Sequence, residues 1–177
     1  MLLYRFDNTD AYPVLESLTS ARGPVTIRVD RESGASCLRL EAKRHKRDPA
    51  EVVIALALPW RSIGGDLQQF LLDVDGDASG CRLTLEAADA VGNPFFYEFG
   101  AVDFAGWRTC KADARTPSKP RGMQRGNTEV AICFPLQLHR LSLSMGAGCS
   151  AVNVAFRNLV VTGDVHDAPS GIARDDA

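Results

Sequence analysis

The sequence predicts an all-β protein, an antiparallel β-sandwich of about ten strands with at most one short helix. Three observations carry that expectation. Apolar residues return with period two in several separate segments. A sustained helical period is found nowhere of comparable length. The alternating segments are punctuated by clusters of Gly, Asp, Asn, Ser and Pro, which supply turns for distinct physical reasons and so divide the chain into many short strands.

Taken in order, Val14 to Ala21 is the one stretch able to form a short helix, and Gly23-Pro24 would end it. Val25, Ile27 and Val29 then alternate with Thr26, Arg28 and Asp30, and Leu38, Leu40 and Ala42 with Arg39, Glu41 and Lys43, as half-buried strands require. Val52 to Leu58 reads as a buried strand. Trp60, beside Pro59 and Arg61 and ahead of Gly64-Gly65, is placed in a loop, where it is the better candidate for an exposed stacking ring, with packing in the core or loop as the competing reading. Cys81, Leu83, Leu85 and Ala87 oppose Arg82, Thr84 and Glu86; Leu141, Leu143 and Met145 oppose Arg140, Ser142 and Ser144. Between them, Phe95, Tyr97 and Phe99 share one face of a strand while Phe96 and Glu98 share the other. Large exposed apolar patches are rare, so Phe95 and Phe99 are expected in the core. In the last strand Val152, Val154 and Phe156 keep step until Asn158, after which Leu159 and Val161 carry the apolar face, a slip that a β-bulge explains. Turns are expected at residues 76–80, 89–94 and 145–148, and a long surface loop over Thr116 to Thr128. Residues 1–165 form one sandwich domain, and 166–177 a tail or linker.

Composition narrows the function. With 45% hydrophobic and 24% charged residues in 177, the chain has ordinary globular usage and enough apolar surface for one sizeable core. A net charge of -2 and a pI near 5.9 supply no general positive field, which argues against nucleic-acid binding. No apolar run reaches the length of a membrane-spanning helix. The N-terminus lacks a basic segment followed by a long apolar one, so the chain is expected to be cytoplasmic or a fragment of a longer exported protein. Five cysteines are scattered without a C-x-x-C pair and are expected to be mostly buried free thiols. No nucleophile elbow, P-loop, dinucleotide fingerprint or zincin helix occurs.

The run Leu71 to Gly80, followed by Leu83-Thr84-Leu85-Glu86, Asp89-Ala90-Val91-Gly92 and Val102-Asp103-Phe104-Ala105-Gly106-Trp107-Arg108, resembles galactose-binding-like β-sandwich domains and related carbohydrate-binding modules. Pro135-Leu136-Gln137-Leu138 and the ending Val154 to Val161 are similar to later strands of such modules. The likeness spans roughly residues 65 to 165. It implies a jelly-roll sandwich, commonly an accessory to a polysaccharide-acting enzyme, with sugar bound on a sheet face or at edge loops. It also implies a buried turn tryptophan at Trp107 and, in several relatives, a structural calcium joining the two ends of the chain, for which Asp7, Asp10 and Asp164 are the candidates.

Sugar-binding sheets set exposed rings under pyranose faces and surround them with groups that bond to hydroxyls. The candidate contacts are Trp60 and Tyr97 for stacking, with Glu98, Arg108 and Gln124 for hydroxyl bonds. Asp73-Val74-Asp75-Gly76-Asp77 fails the EF-hand pattern, since Ala78 and Thr84 stand where glycine and glutamate are needed, and reads as a polar hairpin tip. Lys43 to Arg47 is a basic run best read as a solvated loop closed by Asp48-Pro49. The leading expectation is a non-catalytic carbohydrate-binding accessory module. Its rival is a structural or protein-interaction module whose sheet face forms a homodimer or packs on an attached domain. A third reading, a small hydrolase using Glu86, Glu98, Asp103 or His139, requires a converging acid and base.

Overall fold

A computed structural model describes residues 1–15, 19–32, 34–118 and 131–168. Nine strands are present among the described residues: β1 (Leu2–Arg5), β2 (Val25–Glu32), β3 (Ala35–Lys43), β4 (Val52–Asp77), β5 (Arg82–Ala88), β6 (Pro94–Ala101), β7 (Ala105–Asp113), β8 (Leu136–Met145) and β9 (Ala151–Asp167). All the pairings between them are antiparallel. No helix occurs among the described residues. Of the stretch expected to be helical, residues 16–18 lie outside the description, and its flanks run beside β4 instead: Leu15 N–H donates to Ala55 O and Ser20 N–H to Val53 O.

The 26-residue β4 organises the molecule because it belongs to both layers of the sandwich. Its first half pairs with β8, giving a sheet ordered β4–β8–β5–β6; its second half pairs with β9 and β7, giving β2–β3–β9–β4–β7, with β1 also on β9. The transfer happens at Ile63, which faces Leu136 of β8 on one side and Asp167 of β9 on the other. Gly65 follows with φ of 109°, and a Cβ there would sit 2.0 Å from Asp164 O, so only glycine allows the chain to turn this corner.

The alternation seen in the sequence determines what lies between the layers. Phe70 of β4 meets Tyr97 of β6 with centroids 4.8 Å apart, joining the second sheet to the first, and Phe6 packs on Phe156. Phe95, Tyr97 and Phe99 are all buried. The bulge expected in β9 is present: Leu72 faces Leu159 but Val74 faces Phe156, so Asp73 spans Arg157 and Asn158. β9 runs through Asp167, two residues into the segment expected as a tail; residues 169–177 are outside the description.

Candidate functional site: a groove across the first sheet

The outward side chains of the first sheet line up in three rows that cross all four strands. One row is Val53, Ser144, Arg82 and Ala101; the next is Ala55, Ser142, Thr84 and Glu98; the third is Ala57, Arg140, Glu86 and Phe96. Row spacing and strand spacing make this patch about 14 Å in each direction. The middle row is small over β4, β8 and β5, whereas the flanking rows carry Arg82 on one side and Arg140, Glu86 and Phe96 on the other. A groove of about 800 Å³ results, with Glu51, Gly100 and Ser118 also on its walls.

Its electrostatics follow from one buried pair. Glu86 is 9% exposed, and Arg140 Nη2 donates to its carboxylate at 2.5 Å, so the charge on the third row is compensated where it is least hydrated. Ser144 donates its hydroxyl to Glu51. Ser142, Thr84, Glu98 and Arg82 complete a surface offering both donors and acceptors, with the Phe96 ring beside them. The carboxylate of Glu86 is held by a guanidinium, and Asp103 lies at the β6–β7 turn beside Arg108, so of the carboxylates weighed for acid–base chemistry only Glu86 and Glu98 share the groove.

Of the residues expected to contact a ligand, Glu98 lines this groove. Trp60 is 62% exposed and not packed away, and it lies within β4 and not in a loop. It sits in the bulge between the Ala57–Arg140 and Arg61–Leu138 pairs, opposite His139 and one step beyond the third row. Tyr97 is corrected: it is 1% exposed and packs on Phe70, because its register puts it with Phe95 and Phe99 inside the sandwich. Desolvation raises its phenol pKa well above the ordinary value. Arg108 lies over the Phe104 ring, 4.1 Å from the centroid, and is away from the groove. Gln124 lies outside the described residues.

The three acidic residues singled out as calcium candidates are not gathered into one group. Asp7 follows β1, and Asp164 is paired in register with Asp66. Among the described residues no group of three or more His, Cys, Asp or Glu side chains is placed to hold a metal, so Asp7, Asp10 and Asp164 do not form a ligand set. Trp107 is a further correction: it is 36% exposed on the outer face of β7, with the Arg157 guanidinium 3.9 Å from its ring centroid. The acidic run behaves as a polar edge. Asp73 accepts from Thr109 and Asn158, Asp75 from Arg39, and Asp77 from the N–H groups of Ser79 and Asn153.

Sequence reasoning selected rings and passed over Ser142, Ser144, Arg140, Arg82 and Thr84, although alternation had already placed them on wet faces. Registering those faces across strands is the signal that finds the groove.

Comparison with solved structures gives the same architecture. A family 11 carbohydrate-binding module from Clostridium thermocellum, solved with a β-1,3-1,4-mixed-linked tetrasaccharide, superposes with a TM-score of 0.63 at 9% identity, covering 92% of this chain and 94% of that one. The family 11 module of the Clostridium thermocellum cellulosomal cellulase Lic26A-Cel5E gives 0.60 at 12% identity over 92% and 94%. A module described for the promiscuous specificity of the β-sandwich superfamily gives 0.57 at 8% identity, covering 89% of this chain and 59% of that one. No protein-family model matches the sequence, and no curated protein matches it. The chain is thus a β-sandwich of the carbohydrate-binding-module type in its fold.

Proposed function

We propose that this chain is a non-catalytic glycan-binding module whose groove takes a linear carbohydrate chain lying across the strands of the first sheet. The observation that carries the reading is the three-row arrangement: a floor of Ala55, Ser142 and Thr84 between walls of Arg82 on one side and Arg140, Glu86 and Phe96 on the other. Small residues stand at both ends of the groove, Val53 and Ala55 on β4 and Gly100 on β6 with Ser118 beside it. Side-chain hydroxyls and charged groups at fixed strand spacing suit a ligand that presents hydroxyls at regular intervals. The fold likeness to modules solved with an oligosaccharide supports the same class of partner.

The test is affinity electrophoresis against soluble mixed-linked β-glucan, xylan and galactan, with calorimetry on any that retard the protein. Thr84→Trp, which fills the floor, and Glu98→Ala are expected to weaken binding at least tenfold, about 1.4 kcal/mol, while the folded Tyr97→Phe variant binds as wild type. Binding unchanged in both groove variants, or no retardation by any of the three, rejects the proposal. The rival reading, a protein-interaction module, is favoured by the scarcity of rings, since Phe96 is the only aromatic side chain among the described residues lining the groove. Lack of retardation would move the assignment there.

A further inference from the structure

Among the described residues, β2 is an edge with no strand on its outer side. It pairs with β3 alone, over eight residues without a register shift or an internal proline. The first half of β4 is covered by Pro13 to Leu15 and by Ser20, and β6 by Ser118, which exchanges two backbone hydrogen bonds with Phe96, whereas β7, the opposite edge of the second sheet, pairs with β4 alone among the described residues. On β2 the face turned toward the core is incompletely roofed. Val25 and Ile27 are partly buried, and Val29 is 36% exposed. A regular, unblocked edge with a half-exposed apolar row is a template for another strand.

From the charge pattern about Val29 we infer that the occupant of this edge is the β2 strand of a second copy, paired antiparallel across a two-fold axis at Val29. Side chains directly opposite in an antiparallel pair share a face, so only registers that match odd positions with odd and even with even keep Val25, Ile27 and Val29 of both copies on one face. Centring on Arg28 sets two arginines opposite each other, and centring on Asp30 sets two aspartates opposite. Both are disfavoured. Centring on Ile27 matches only residues 25 to 29 within the strand and creates no ion pair. Centring on Val29 pairs residues 26 through 32, covers the exposed valine with its own symmetry mate, and puts Arg28 opposite Asp30 twice.

Arg28 and Asp30 are suited to this. Arg28 already donates to Asp30 at 2.9 Å and to Glu41 at 2.7 Å, while its side chain is 48% exposed. Asp30 is held by buried Arg39 at 2.7 Å, so the partner's guanidinium meets a fixed carboxylate. The contact is one strand wide and smaller than a standard interface, so the dimer is concentration-dependent. It carries two grooves on one particle, which raises the avidity for a polymer without a new sugar contact.

The test is sedimentation velocity of the full chain over a concentration series, joined to cross-linking in a Cys133→Ser background. Wild type is expected to move from monomer toward dimer as concentration rises, and Arg28→Asp to weaken the association at least tenfold. Val29→Cys is expected to give a disulfide-linked dimer on mild oxidation by oxidised glutathione, because opposed Cα atoms in such a pair lie about 4.5–5.5 Å apart. Thr26→Cys is expected to stay monomeric on the gel, its two copies being six positions out of register. A wild type that remains monomeric up to about 100 μM overturns the inference. A dimer in which both cysteine variants, or neither, cross-link overturns it equally, as does one insensitive to Arg28→Asp.

Discussion

Asp89 shows how much a single buried polar residue can organise. Its carboxylate, 2% exposed as a residue, accepts from the backbone N–H groups of Val91, Asn93 and Cys133 and from the Asn93 side chain. It thereby fixes the β5–β6 turn and ties it to the chain entering β8. Burial opposes its charge, but these hydrogen bonds outweigh burial and hold its pKa below 3.8. Asp89→Asn is expected to cost about 1–3 kcal/mol near neutral pH, measured by urea unfolding. Because the folded pKa is depressed, this contribution is complete above the unfolded value and fades as pH falls through the folded one, so the gap between wild type and variant should narrow in acid. Tyr97 is the opposite case: its hydroxyl is buried without a hydrogen-bond partner. Tyr97→Phe removes an uncompensated polar group from the core and is expected to leave stability unchanged or raise it by up to about 2 kcal/mol in the same assay. The position of Tyr97 was legible, since alternation groups it with Phe95 and Phe99. Choosing it as a sugar contact gave ring chemistry more weight than register.

At the scale of the element, β4 was the least legible feature. Pro59 and the Gly64-Gly65 pair break its alternation, so the sequence reads as separate strands with Trp60 in a loop between them. In the fold, the bulge at residues 58–60 and the corner at Gly65 let one strand serve both sheets. The groove depends on this, because Val53 and Ala55 hold its β4 side while the far end of the same strand carries Asp73 and Asp75 on the other sheet. That far end closes on the β7 turn, where Gly76 faces Gly106. A Cβ on Gly76 would lie 2.4 Å from Phe104 O and 2.7 Å from its ring. Gly76→Ala is therefore expected to destabilise the protein by about 2–3 kcal/mol in thermal or urea unfolding, with Gly148→Ala, where a Cβ meets nothing within 4 Å, as the control without a clash. Trp107 was misjudged for a related reason: the turn motif was visible, but the sequence does not reveal which face of β7 remains uncovered.

For the molecule as a whole, the sandwich class followed from period-two patterning, while the pairing order did not, because strand neighbours such as β4 and β9 are distant in sequence and alternation carries no partner information. The same long-range pairing makes the two layers one cooperative unit, joined by β4 and by contacts such as Phe70 on Tyr97. The thiols give a direct measure of that unity. Cys37, Cys81, Cys110 and Cys149 are buried at positions on β3, before β5, on β7 and before β9, whereas Cys133 is exposed. Burial also pushes the Cys81 thiol up to about 11, which suppresses its reactive thiolate. A thiol reagent added to the reduced native protein should therefore consume one cysteine rapidly, and in denaturant all five. If the layers open together, the four slow thiols will react at a single rate that rises with urea in step with global unfolding. If one sheet opens before the other, Cys37 and Cys110 on the second sheet will separate in rate from Cys81 just before the first sheet's β5, and the molecule is two foldons sharing a strand.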